Sequence, residues 1–180
     1  MRLGWIAAAL LALAQPASGQ GLKSLTERSD ILGWEAVGRL DIGKRGGNCS
    51  AALIAPRIVL TAAHCVFRGN ERIAPQDITF HAGYRDGETI ASVRGARAVV
   101  PAAFDPDGGG ARFLQNDVAL LELEEAIPAT TASPYGIGRA GGQGSRVTVV
   151  SFGASRMNAA SWQSGCRLTT EFELGLMGFD

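Results

Sequence analysis

The chain has 180 residues, of which 46% are hydrophobic, and its 17 basic residues balance 17 acidic ones. This length and hydrophobic content suit one ordinary domain or slightly more, and they exclude a disordered chain. A formal net charge of zero argues against a nucleic-acid partner, because such proteins need a basic surface to displace counterions.

The first 19 residues are predicted to be an export signal. Arg2 supplies the positive start, and the uncharged run from Leu3 to Leu13 has the length of a signal's apolar core. Small residues allow cleavage after either Ala14 or Gly19. The alternative is a membrane anchor, but the run is shorter than the ~20 apolar residues that a span needs. We therefore expect a secreted or periplasmic protein whose mature form is not in a membrane.

After a polar leader over residues 20–30, the pattern predicts short strands separated by turns. Candidate strands lie at residues 34–40, 50–55, 57–61, 78–82, 96–100, 118–122 and 146–152. Pairs such as Gly46-Gly47 and Asp86-Gly87 supply turn chemistry between them. Strands at this spacing, without long amphipathic helices, predict an all-β barrel or sandwich.

Composition also predicts a linker over residues 127–138, which are rich in Ala, Thr, Pro and Gly. The linker divides the chain into a first barrel domain at residues 31–126 and a shorter stretch at residues 139–180. The second stretch is too short for six strands of about 5–6 residues each with their turns. It is therefore expected to be only the start of a second barrel.

Two motifs point to chemistry. In Leu60-Thr61-Ala62-Ala63-His64-Cys65, an apolar strand ends at a histidine, and imidazole is the usual general base near neutral pH. In Asn116-Asp117-Val118-Ala119-Leu120-Leu121, an aspartate precedes an apolar strand, where its carboxylate can orient an imidazole. His81 has no motif around it and is predicted to be a strand-surface residue.

Residues 61–65 match the histidine motif of the trypsin/chymotrypsin-like serine proteases, and residues 116–121 resemble their aspartate motif. The resemblance, to a secreted member of bacterial type, covers about residues 31–155. It implies an all-β, chymotrypsin-like double β-barrel, with the first barrel complete and the second partial. It also implies hydrolysis of a protein or peptide substrate, with His64 as general base and then acid and Asp117 as its orienting carboxylate.

The resemblance further implies a disulfide between Cys49 and Cys65, because the family places a partner cysteine at the position of Cys49. For Cys166 three possibilities stay open, namely a free thiol, an intermolecular bond, or a partner beyond the chain. No metal is predicted, since His64-Cys65 lacks further ligands at zinc spacing, and no cofactor is expected.

One part of the family pattern is missing. The family's nucleophilic serine lies in a Gly-Asp-Ser-Gly-type loop, and the 180 residues contain no such motif. Ser155, Ser161 and Ser164 lack the small neighbours that let backbone N–H groups form an oxyanion hole. We therefore expect the chain to stop within the second barrel, without a nucleophile and inactive alone.

Two other functions stay open at this point. A non-catalytic protease homologue would bind other proteins through the same barrel surface. A small secreted β-sandwich would account for the strands, but not for His64 and Asp117 together. No oligomeric state is predicted.

Overall fold

The computed structural model describes residues 21–43, 47–139, 141–153 and 156–180, so the predicted signal peptide lies outside the described residues. The strands are β1 Lys23–Ser24, β2 Val37–Ile42, β3 Asn48–Ala55, β4 Ile58–Thr61, β5 Phe67–Arg68, β6 Glu71–Arg72, β7 Ile78–Ala82, β8 Ala91–Val99, β9 Ala119–Leu123, β10 Arg146–Gly153, β11 Arg156–Glu171 and β12 Met177–Phe179. One α-helix, α1, spans Gly110–Asn116, and 3-10 helices lie at Arg28–Ile31, Ala63–Val66, Pro75–Asp77 and Glu173–Gly175. None of the helices in these stretches is long and apolar enough to cross a bilayer.

Six antiparallel strands close into a barrel in the order β2-β3-β4-β9-β8-β7. Side chains alternate between inside and outside, as in β9, where Leu121 and Leu123 are buried and Leu120 is exposed. Leu40, Leu53 and other apolar side chains fill the interior. The all-β class and the first barrel expected from the sequence are therefore confirmed.

The part of the chain that follows the barrel forms an open sheet. β10 and β11 form a hairpin, β1 pairs with β11, and β12 pairs with the far end of β11. In the described residues this sheet is not closed, which agrees with the partial second barrel that we expected. The described part of the predicted leader contributes β1 to this sheet, and the buried Leu25 that follows donates to the Ala160 carbonyl on β11.

The barrel and the open sheet are joined by direct contacts. Ser50 on β3 accepts a hydrogen bond from the N–H of Phe152 on β10 at 2.8 Å. The same hydroxyl donates to the Phe152 carbonyl at 3.3 Å. Phe152 is buried together with Leu25, Ile31, Val37 and Ala160, so an apolar layer lies between the barrel and the sheet.

The segment predicted as a linker, residues 127–138, contains no strand in the structure but packs on the barrel. Ile127 and Ala132 are each 1% exposed and belong to the barrel core. The N–H of Tyr135 donates to the Leu53 carbonyl at 2.9 Å, and its hydroxyl donates to the Gly33 carbonyl at 2.8 Å. Burial, with a smaller effect from the charge of Glu35, raises the pKa of Tyr135 and keeps the donor protonated.

We predict that Gly38→Ala destabilises the barrel by about 1–3 kcal/mol, because the position has no room for a methyl group. A Cβ at Gly38, on β2, would meet the ring of Phe80 and would lie 2.5 Å from the His81 carbonyl oxygen. Gly136→Ala is the matched control, since a Cβ there meets nothing within 4 Å. Urea denaturation should place the control within about 0.5 kcal/mol of wild type. Equal stabilities for the two variants would contradict this account of the barrel wall.

Candidate active site

His64 lies just beyond the end of β4. The strand ends at Thr61, whose hydroxyl donates a hydrogen bond to the Ser50 carbonyl on β3 at 2.8 Å. The 3-10 helix Ala63–Val66 follows, and its residues other than His64 are buried. The His64 side chain is 58% exposed. The buried neighbours therefore hold the backbone of His64 while its imidazole stays accessible.

A disulfide ties this helix to the barrel. Cys65 is bonded to Cys49 on β3 with a Cα–Cα distance of 6.2 Å, inside the usual 4.4–6.8 Å. The expected pairing is therefore confirmed, and a loop of this length is typically stabilised by about 3 kcal/mol. The ligand atoms of Cys49, His64 and Cys65 lie within 4.8 Å of one another, but the two sulfurs are bonded to each other. Within the described residues, Cys166 is a buried free thiol.

Asp117 is placed by the junction of α1 and β9. It follows the last residue of α1 and leaves the helical conformation, with φ −77° and ψ 61°. β9 begins at Ala119, which pairs with Thr61 at the end of β4. Because the two strands are antiparallel, the residues after Thr61 and before Ala119 leave the barrel at the same end. His64 and Asp117 are therefore neighbours in space although they are far apart in sequence.

The carboxylate of Asp117 contacts His64 with both oxygens. Oδ1 accepts the backbone N–H of His64 at 2.8 Å, and Oδ2 lies 2.7 Å from Nδ1 of the ring. The second distance falls inside the 2.6–3.2 Å that we expected for this pair. The Asp117 side chain is only 12% exposed. A carboxylate accepts hydrogen bonds only, so this contact favours the tautomer with the proton on Nδ1.

Three aromatic side chains connect the two segments that carry these residues. Phe67 follows the His64 helix, and its ring centroid lies 5.4 Å from that of Phe104. Phe104 in turn lies 5.4 Å from Phe113 on α1, the helix that leads to Asp117. The residues of this row are far apart in sequence, so no local pattern predicts their contact. Its only sequence signal was the presence of large aromatic residues next to both motifs.

In this tautomer Nε2 is the nitrogen that carries the lone pair, on an imidazole that is exposed. Such a nitrogen can accept a proton from a nearby hydroxyl, and the carboxylate behind Nδ1 stabilises the imidazolium that then forms. Of the serines considered in the sequence analysis, Ser161 is 1% exposed and Ser155 lies outside the described residues.

A second histidine makes polar contacts on the barrel wall. His81 lies on β7 with its side chain 19% exposed, so it is more covered than a strand-surface residue was expected to be. Its Nδ1 lies 2.6 Å from the hydroxyl of Ser92 on β8, and its Nε2 lies 3.3 Å from Oδ2 of Asp41 on β2. Burial lowers the pKa of His81, and the charge of Arg39 acts in the same direction against the opposing effect of Asp41.

The fold and the sequence both agree with one protein family. The protein-family model described as Trypsin matches residues 26–168, which is most of the chain. The chain therefore belongs to the trypsin family.

Serine protease SP24D from Anopheles gambiae is 34% identical over 82 residues, a match that covers 46% of this chain and 28% of the relative. The matched part is thus less than a third of that relative.

Two solved structures share the fold. One, described as Glu endopeptidase in complex with MPD, has a TM-score of 0.69 and 19% identity, and the match covers 84% of this chain and 70% of that one. The other is the scabies mite inactivated protease paralogue S-D1, with a TM-score of 0.60 and 17% identity. That match covers 78% of this chain and 60% of the paralogue.

We predict that His81 makes stability fall as the pH drops below its ordinary pKa of 6.5. The unfolded chain then binds a proton that the folded chain takes up only at lower pH, so acid favours unfolding until the folded pKa is passed. His81→Gln removes this proton uptake. Urea denaturation at several pH values between neutral and mildly acidic should show a smaller loss in the variant. An equal loss in wild type and variant would be inconsistent with a lowered His81 pKa.

Proposed function

We propose that this chain carries the general base and the orienting carboxylate of a serine peptidase, His64 and Asp117. The observation that supports this best is the double contact of the carboxylate, which holds both the backbone N–H and the ring Nδ1 of His64. A histidine that served only the fold would not need its ring held by a nearly buried carboxylate while the ring itself stays 58% exposed.

In the proposed reaction, Nε2 of His64 removes the proton of a serine hydroxyl as that oxygen attacks the carbonyl carbon of a peptide bond. The imidazolium then gives the proton to the leaving amine, and the same base activates water for the release of the acyl group. Asp117 stays ionised throughout and stabilises the imidazolium. Proteins or peptides are accordingly the proposed substrates.

The nucleophile of this reaction is not supplied by a family-type motif in the 180 residues. Ser161 is unsuited to the part, because it is buried and its hydroxyl has no hydrogen-bond partner in the described chain. An oxyanion hole is commonly built in part from the backbone N–H of the nucleophile itself. We therefore propose that these 180 residues have no peptidase activity by themselves.

We also propose that the protein is exported from the cytoplasm, with residues 1–19 as its signal peptide. The Cys49–Cys65 bond supports this, since disulfides form and persist mainly in oxidising compartments.

The second candidate function is that of a non-catalytic homologue that binds proteins through the barrel surface. The observation that favours it is that one structural neighbour is described as an inactivated protease paralogue. The two proposals differ in what the transcript encodes. Downstream sequence with a cysteine and then a Gly-x-Ser-Gly motif would support the peptidase, and a stop codon after Asp180 would support the homologue.

We predict that purified residues 20–180 hydrolyse a broad peptide substrate no faster than their His64→Ala variant. A longer chain that includes the serine motif should hydrolyse the same substrate. Asp117→Asn should slow that longer chain by up to about 10⁴-fold. An amide has only one acceptor oxygen, so it cannot accept from both the backbone N–H and Nδ1 of His64, and its NH₂ group at Nδ1 would favour the wrong tautomer of the ring.

Peptide hydrolysis by residues 20–180 that disappears in His64→Ala would overturn the proposed inactivity. It would mean that a serine such as Ser155, Ser161 or Ser164 serves His64 after all. A longer chain in which His64→Ala leaves turnover unchanged would instead overturn the proposed role of His64.

A further inference from the structure

The outer wall of the barrel carries a second set of carboxylate, imidazole and hydroxyl groups in contact with one another. Asp41 Oδ2 lies 3.3 Å from Nε2 of His81, and Nδ1 of the same ring lies 2.6 Å from Oγ of Ser92. These residues lie on β2, β7 and β8, none of which carries His64 or Asp117. The set is therefore separate from the candidate active site.

The register of the strands produces this arrangement. His81 on β7 is paired with Ser92 on β8 on one side and with Arg39 on β2 on the other. Asp41 follows Arg39 by two residues, so both side chains project from the same face of β2. Groups held on paired strands are placed more rigidly than groups on loops.

The hydrogen-bond partners decide where the protons lie. Arg39 donates to both oxygens of Asp41, from Nε at 2.6 Å and from the guanidinium terminus at 2.8 Å, so both oxygens act as acceptors. Nε2 of His81 lies 3.3 Å from Oδ2 of Asp41, so in the neutral ring a proton on Nε2 and a lone pair on Nδ1 are the favoured arrangement. In this tautomer the Ser92 hydroxyl donates its proton to Nδ1.

The ring of His81 is ready to act as a base, and the hydroxyl can be reached from solvent. Ser92 is exposed, whereas His81 is covered by Tyr84, whose ring centroid lies 5.9 Å from the imidazole. The Arg39 guanidinium lies 3.8 Å from the centroid of the Tyr84 ring. This contact holds the Tyr84 ring beside the imidazole. Because the pKa of His81 is lowered from its ordinary value, the ring is neutral at neutral pH.

We propose that Ser92 is a nucleophile that reacts with activated carboxylic esters, with His81 as its base and Asp41 as the positioning residue. Oγ of Ser92 forms a bond to the carbonyl carbon of the ester, and the bond from that carbon to the alcohol or phenol oxygen breaks. The Ser92 proton passes to Nδ1 of His81 and then to the leaving oxygen or to solvent. Water later hydrolyses the acyl-serine to the free acid and the serine.

The expected rate is modest. General base catalysis contributes about 10²–10⁴-fold, and the larger contribution of an oxyanion hole is not part of this proposal. We therefore expect accumulation of an acylated Ser92 rather than rapid turnover of ester.

The proposal is tested by exposing the folded chain to p-nitrophenyl acetate and locating the acetyl groups by peptide mass spectrometry over time. Ser133 is the internal control, since it is also exposed and lies outside the strands and helices. Ser92 should be acetylated at least about tenfold faster than Ser133. This comparison is made within the wild-type protein and does not depend on the folding of any variant. Equal rates for the two serines would overturn the proposal.

Two variants separate the base from the positioning residue. His81→Gln should slow acetylation of Ser92 at least about tenfold and leave that of Ser133 unchanged. Asp41→Ala should remove the preference of His81 for the Nε2–H tautomer, which is read from the ¹⁵N shifts of the ring. Unchanged acetylation of Ser92 in His81→Gln would overturn the role of the base. An unchanged tautomer in Asp41→Ala would overturn the role of Asp41.

Discussion

The candidate site depends above all on the antiparallel pairing of β4 with β9. Thr61 ends one strand opposite Ala119, which begins the other, so the turn that carries His64 and the residue Asp117 emerge together. A slip of one residue in this register would turn the side chains of β9 to the opposite faces of the barrel wall. The hydrogen bonds between Asp117 and His64 are therefore a consequence of strand register and not its cause.

Several weaker constraints then hold the pair in place. The disulfide fixes the turn after β4 to β3, and the hydroxyl of Thr61 does the same one step earlier in the chain. The row of Phe67, Phe104 and Phe113 packs the turn of His64 against α1, which ends at Asp117. The backbone of His64 and that of Asp117 are thus each fixed by separate contacts. The carboxylate can therefore stay nearly buried while the imidazole is exposed.

The elements best predicted from the sequence are those in which buried and exposed side chains alternate, or in which apolar residues follow one another closely. The strands at 50–55, 57–61, 78–82 and 118–122 all correspond to barrel strands, because burial on one face leaves a local pattern. β11 was missed, since Asn158 and the glycine at 165 interrupt such a pattern in a strand of 16 residues. α1 has only seven residues and begins at a glycine. Such a segment is too short to show a helical period in the sequence.

Contacts between distant segments could not be predicted from local pattern at all. The motif of His64 identified a candidate base because its neighbours in sequence are distinctive. His81 has no such neighbours, and its contacts with Asp41 and Ser92 arise only when three strands pair in register. The packing of residues 21–30 and 127–138 against the rest of the fold was hidden in the same way, because polar and turn-rich sequences carry little periodicity.

The most direct test of this account is the protonation state of the His64 ring, measured from its ¹⁵N shifts at mildly alkaline pH. The chain has two histidines, so the signals can be assigned by comparison with a His64→Gln variant. We expect His64 to carry its proton on Nδ1 in the wild type and to lose this preference in Asp117→Ala. A wild-type His64 protonated on Nε2, or a tautomer that Asp117→Ala does not change, would contradict the proposed pairing of base and carboxylate.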